Sequence, residues 1–230
     1  MATTSGTTNF NPDFLEIAEE AWERASGGVT EMRSGYNLRT AQRSLNLLLM
    51  DWANRGVNLW TLEEIELPLS QGVESYILPD DTVDLFSHRL KRLSAGDASS
   101  TPVSRCSVYE FVSQSRSVHP GVPTQLVIDR QVLNPIVHVW PVPDSNDYVL
   151  SCWRVRRMQD AGSGRHVQDV PFRFVPALVA GLAYMVAAKI PEGAARLSVL
   201  KMQYDEAWMS ASEEDREKAP LRLVPRMRRV

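Results

Sequence analysis

Only two cysteines, Cys106 and Cys152, occur among the 230 residues. Two thiols exclude a disulfide framework, and neither lies in a C-x-x-C pair. Both are expected to be reduced and mostly buried, as in a cytoplasmic setting. The four histidines, His88, His119, His138 and His166, are far apart and match no metal-ligand spacing. There is no G-x-S-x-G, no P-loop and no H-E-x-x-H. Gly162-Ser163-Gly164 is too short for a phosphate loop and runs into Arg165-His166, so it is expected to be a hairpin loop. Asp80, Asp81 and Asp84 have no second acidic cluster to match, and are expected to be a solvated turn. No catalytic, cofactor-binding or metal-binding residues are predicted. Charge of one sign is lacking too: a net charge of −3 gives no global pull toward nucleic acid or a membrane. The start, MATTSGTTN, has neither a basic n-region nor an apolar h-region, and reads as a short flexible arm rather than a signal peptide.

What is present is an ordinary globular balance, with 43% hydrophobic and 23% charged residues. The most apolar stretch is DVPFRFVPALVAGLAYMVAAKI, 169–190, uncharged from Phe174 to Ala188. It is too short to span a bilayer, which needs about 20 apolar residues. Apolar residues cover nearly all its faces, which predicts a buried helix. Asp169 is expected to cap it, with Pro171 in the first turn and Pro191 at the stop. Gly181 and Ala183 leave room for a close neighbour.

Two amphipathic helices precede it. Asn11-Pro12 opens the first, Leu15, Ala18, Trp22 and Ala25 recur at helical spacing, and Gly27-Gly28 ends it. In the second, Leu38, Ala41, Leu45, Leu48, Leu49 and Trp52 mark one face. Arg39, Gln42, Arg43, Asn46 and Asp51 mark the other, and Gly56 is a left-handed cap.

From Val57 the period changes to two. Val57–Pro68 and Glu74–Leu78 flank Ser70-Gln71-Gly72 and are expected to pair as a hairpin. Thr82–Leu93 fits either a strand or a short helix. Ser107 to Glu110 has the form of a capping box, which predicts a short helix to about Gln114. Strands are predicted at 125–129, 136–140 and 148–158. Trp22, Trp52 and Trp208 are assigned to the core, and Trp140 and Trp153 to core or interface. After the apolar helix, 192–218 is a last amphipathic helix with Leu197, Leu200, Tyr204, Ala207, Trp208 and Ala211 inward and an acidic outer face.

The expected fold is α+β. An antiparallel bundle of about four helices, 1–56 and 169–219, carries an inserted antiparallel β module, 57–168, and an extended tail, 220–230. The tail combines Arg222, Arg226, Arg228 and Arg229 with Leu221, Leu223, Val224, Met227 and Val230, and has no acid. Apolar residues interleaved with Arg suit a segment that docks on a protein.

Three stretches resemble the head-to-tail adaptor (connector) proteins of short-tailed bacteriophages, the tail tubular protein A-like family. They are LRTAQRSLNLLLMDWANRGVNLWTLEEIELPL (38–69), YILPDD (76–81), and the run from DVPFRFVPALVAGLAYMVAAK to LRLVPR (169–226). The resemblance implies a structural virion protein without catalysis, at the head-tail junction and, during assembly, in the host cytoplasm. It implies a ring of copies, a dodecamer, around the DNA exit channel, with DNA only as passing cargo. The implied partners are the portal protein, the tail nozzle and tail fibres, with no membrane. Leu221, Arg222, Leu223, Val224, Arg226, Met227, Arg228 and Arg229 are the expected portal-binding residues. The acidic face of the last helix and the Arg-bearing face of the second are candidate lateral faces of a ring. The alternative is a head-completion or DNA-binding neck protein that uses the basic tail.

Overall fold

The structure is a computed structural model and describes residues 4–28, 32, 35–56, 59–95, 100–113 and 119–215. It is mixed α+β, with five α-helices and mainly antiparallel sheets. The chain divides into two compact units, Met1–Val57 with Gln159–Val230, and Asn58–Met158.

The first unit holds helices α1 (Phe14–Ser26), α2 (Gly35–Asn54), α4 (Val175–Ala187) and α5 (Leu197–Glu214). Asp13, not Asn11, caps α1. Its carboxylate accepts from the Glu16 amide at 2.9 Å, and the Glu16 side chain accepts from the Asp13 amide at 3.0 Å. This reciprocal pair satisfies two amides that a new helix leaves open, which decides the start. Gly27 closes α1 at φ 69°, a backbone that favours glycine.

α4 packs against α1, α2 and α5, which explains why it is apolar on all sides. It begins later than expected. A 3-10 turn, Phe172–Phe174, comes first, and Asp169 does not cap the helix but accepts from the Gln159 amide. Pro176 then falls in the first turn, where its missing N–H has no partner to lose. Gly181 is where α2 and α5 both approach α4 closely: a Cβ there would lie 2.8 Å from Leu48 Cδ2 of α2 and 2.9 Å from Tyr204 Cε2 of α5. Trp52, Phe174 and Trp208 cluster with ring centroids 4.9–5.8 Å apart. α5 is shorter than expected, because Pro191–Arg196 is a separate 3-10 segment. Residues 159–168 lie with the helices. Gln42 donates to the Ala161 and Gly162 carbonyls, Asn46 accepts from the Ala161 amide, and Val167 bridges Asp13. Two residues of α2's polar face therefore hold a loop.

The second unit contains β1 (Leu62–Leu69), β2 (Ser75–Ile77), β3 (Thr82–Arg92), β4 (Ser100–Pro102), β5 (Ser104–Arg105) and helix α3 (Val108–Ser113). These are followed by β6 (Pro120–Gly121), β7 (Gln125–Asp129), β8 (Ile136–Trp140), β9 (Val142–Pro143) and β10 (Tyr148–Arg156). One sheet has the order β1-β10-β3-β4 and the other β2-β8-β7-β5, with β6 and β9 as a separate pair. Leu69, Leu85, Leu90, Leu150 and Cys152 from the first sheet and Leu126, Val137 and Val139 from the second share one core. The expected hairpin is absent: β1 pairs with β10 and β2 with β8. Ser70–Gly72 does turn the chain, but it carries it from one sheet to the other. Thr82–Arg92 is a strand, and its Leu85 and Leu90 face the core. The unit is not wholly antiparallel, since β5 joins β7, and β6 joins β9, in parallel. Ser107 caps α3 as expected, with the Glu110 amide donating to its Oγ at 3.1 Å.

Candidate interaction surfaces

The predicted portal-binding residues, Leu221, Arg222, Leu223, Val224, Arg226, Met227, Arg228 and Arg229, lie outside the described residues. The described chain stops at Asp215, and this end is firmly placed. The Asp215 side chain is fully buried and ion-paired with Arg173, beside the turn that leads into α4. Its amide donates to the Ala211 carbonyl. A carboxylate without water needs such a partner. The pair fixes the C-terminal end of α5.

The polar chemistry of the β unit is structural. Arg154 is buried at 8% exposure on β10 and forks to two acids. It donates to Glu63 of β1 at 2.7 Å, to Thr82 at 3.0 Å and to the Asp81 carboxylate. Arg156 adds a second bond to Glu63 at 2.7 Å. The Arg154 hydrogen bond holds the Glu63 carboxyl below its usual range against the opposing effect of desolvation. Burial pulls the Arg154 pKa down, but the bonds to Asp81 and Glu63 outweigh it and leave it raised. Asp84 pairs with Arg105 and Arg130. Asp80 and Asp81 do form a turn, with Asp80 exposed, but Asp81 and Asp84 also anchor ion pairs. The sequence signal for the Arg154 site was weak, because its partners lie 91 and 73 positions away.

The remaining candidates do not converge. His138 Nδ1 meets the Ser75 hydroxyl at 2.8 Å, and His166 Nδ1 accepts from the Ser163 amide at 3.1 Å. Burial lowers the pKa of His88. No group of three or more His, Cys, Asp or Glu side chains is placed to hold a metal among the described residues. Cys106 and Cys152 are free and buried; burial raises both thiol pKa values, that of Cys152 to about 11. No described helix is long and apolar enough to cross a membrane.

Exposed apolar side chains remain on both units. In the β unit, Trp153 of β10 lies beside Phe86 of β3 in register, and both are partly exposed on the outer face of their sheet. In the helical unit, Tyr36, Leu47 and Met50 of α2 and Val199, Met202 and Met209 of α5 are exposed. The last three were missed in the sequence because their helix was read as having a single apolar face. Their spacing of three and seven residues was the available signal.

No curated protein matches the chain. A family model described as SU10 adaptor protein matches residues 8–225, which includes the helices, the β unit and all but the last residues of the tail. The chain belongs to the SU10 adaptor protein family, a family of structural bacteriophage adaptors.

Proposed function

We propose that this protein is a ring-forming head-to-tail adaptor that joins the portal to the tail nozzle and fibres around the DNA exit channel. The observation that carries the reading is the adaptor-family match over residues 8–225. The helices of the first unit act as a four-helix bundle that builds the ring, a dodecamer, with the β unit, Asn58–Met158, directed to the tail. The tail, 220–230, reaches the portal through Leu221, Arg222, Leu223, Val224, Arg226, Met227, Arg228 and Arg229. Its aliphatic residues supply affinity, and its arginines supply orientation and on-rate against an acidic surface. A tail that orders on binding loses conformational entropy, so many identical tails around a ring make the joint tight. The protein works by assembly rather than catalysis, in the virion and beforehand in the host cytoplasm.

The test is native mass spectrometry and electron imaging of the purified protein mixed with portal rings. A closed ring on one end of the portal is expected. A monomer that leaves the portal bare would overturn the reading. The basic tail favours one second reading, a DNA-binding neck protein. Salt-dependent DNA binding by the isolated subunit, with no portal capture, would select it.

A further inference from the structure

α2 and α5 each carry two apolar faces. The inner faces are accounted for by α4, since Leu48 and Tyr204 both abut Gly181. The outer faces are not. On α2, Tyr36, Leu47 and Met50 fall at offsets 0, 11 and 14, on the side opposite buried Ala41, Leu45 and Trp52. On α5, Val199, Met202 and Met209 fall at offsets 0, 3 and 10, opposite buried Leu200, Tyr204 and Ala211. These six side chains are between 47% and 69% exposed. Solitary exposed apolar residues are normal, but two rows in helical register are not scatter.

The charges beside the two rows are opposite. Arg43 lies in the α2 row and Arg39 beside it, and neither has an ion pair among the described residues. Glu206 and Glu213 lie in the α5 row at the same helical spacing, with Asp205 beside them. Each row spans 15 residues, Tyr36 to Met50 and Val199 to Glu213, a rise of about 21 Å at 1.5 Å per residue. The rows are therefore of similar length; Arg43 interrupts the apolar side chains of one and Glu206 those of the other, and these charges are complementary.

The geometry points to a head-to-tail contact between copies of this chain, in which the outer row of α2 on one copy packs on the outer row of α5 on the next. This assignment rests on the ring proposed above and names its lateral surfaces. The alternative of like on like is disfavoured, because two α5 rows would oppose Glu206 and Glu213 to their own kind and two α2 rows would oppose arginines. A heterologous contact uses both rows once per copy and closes only as a ring or continues as a filament. One helix pair buries little area, so closure through two such contacts per copy is what gives the assembly its persistence.

The test uses two full-length variants, Leu47→Glu/Met50→Glu and Met202→Glu/Met209→Glu, with circular dichroism melts to show that both fold. Native mass spectrometry is run on the wild type and on each variant, alone and with portal rings. Each variant is expected to lose the ring mass and run as a monomer. An equimolar mixture is expected to form nothing larger than a one-to-one dimer, because only one sound α2 row and one sound α5 row can meet. Arg43→Glu is expected to weaken the ring, and Glu206→Arg added to it to restore the ring. If the wild type forms rings and both variants form them equally well, the lateral assignment fails while the ring reading stands. If both keep the ring but lose portal capture, the rows serve the portal contact and the assignment also fails. A wild type that never forms rings overturns both readings.

Discussion

Trp52 donates its indole N–H to the Tyr204 hydroxyl at 2.9 Å, and the two residues are 152 positions apart in the sequence. Both are buried, so this bond ties α2 to α5 where water cannot substitute for either partner. Tyr204→Phe keeps the ring stacked in place but leaves the indole N–H without an acceptor. The expected cost is about 1–3 kcal/mol, read as a lower urea midpoint by tryptophan fluorescence. An unchanged midpoint would show that the bond contributes nothing.

Gly181 gives a second measure of the same contact. A Cβ at this position meets Leu48 at 2.8 Å and Tyr204 at 2.9 Å. Gly181→Val is expected to destabilise the protein by about 1–3 kcal/mol through overpacking. The gain in helix propensity, about half a kcal/mol, does not offset that. A thermal melt at or above the wild-type midpoint would mean that α2 and α5 stand further from α4 than described.

Arg154 links the β unit's stability to pH. Its hydrogen bond to Glu63 is the largest reason why that carboxyl lies below its usual value of 4.5. A carboxyl with a lower pKa folded than unfolded contributes stability fully above 4.5 and loses it as pH falls through the folded value. Acid titration of the wild type should therefore show a larger loss of stability below pH 4.5 than Arg154→Met, in which Arg156 alone still holds Glu63. At neutral pH the variant should also melt lower, because Asp81 and Glu63 lose a buried partner. Superimposable pH profiles for the two proteins would exclude this linkage.

The thiols give a simple chemical check. Cys152 is fully buried with its pKa raised to about 11, and burial raises Cys106 as well. The thiolate is the reactive form, so a maleimide at neutral pH should label neither residue in the native protein and both in denaturant. Rapid labelling of the native protein would place a cysteine at the surface.

Deleting Leu221 to Val230 should leave a folded, soluble subunit that no longer binds the portal. α5 ends at Glu214 and is capped by Asp215, before the deletion begins, and Asp215 keeps its Arg173 partner. The assay is co-sedimentation with portal rings, paired with a thermal melt. A truncated protein that sediments as well as the full chain removes the tail from the portal contact.

Local signals in the sequence were read correctly where one short segment decided the outcome. The Leu45, Leu48, Leu49 and Trp52 face is buried, Gly27 and Gly56 are left-handed, and Ser107 caps α3. The errors came where the deciding partner was distant. Ser70–Gly72 looked like a hairpin turn, but a turn does not state which strands it joins. β10 outcompetes β2 for β1, offering eight paired positions from Leu62 to Leu69. Asn11 lost the helix cap to Asp13 because only Asp13 has Glu16 three residues on. Of the candidate surfaces, the charge of α2 and α5 was legible, while the apolar row within α5 was hidden by the acids that surround it.

The first and last long strands of the β unit are neighbours in one sheet, with Leu62 opposite Val155. Antiparallel partners are about 4.5–5.5 Å apart at Cα. The chain therefore enters and leaves the unit at almost one point, a gap that about two residues can bridge. To the helices on either side in sequence, a whole sandwich behaves as a short loop, and its closure entropy is already met within its own sheet. Replacing it by another insert of the same narrow footprint is therefore expected to leave the helices folded.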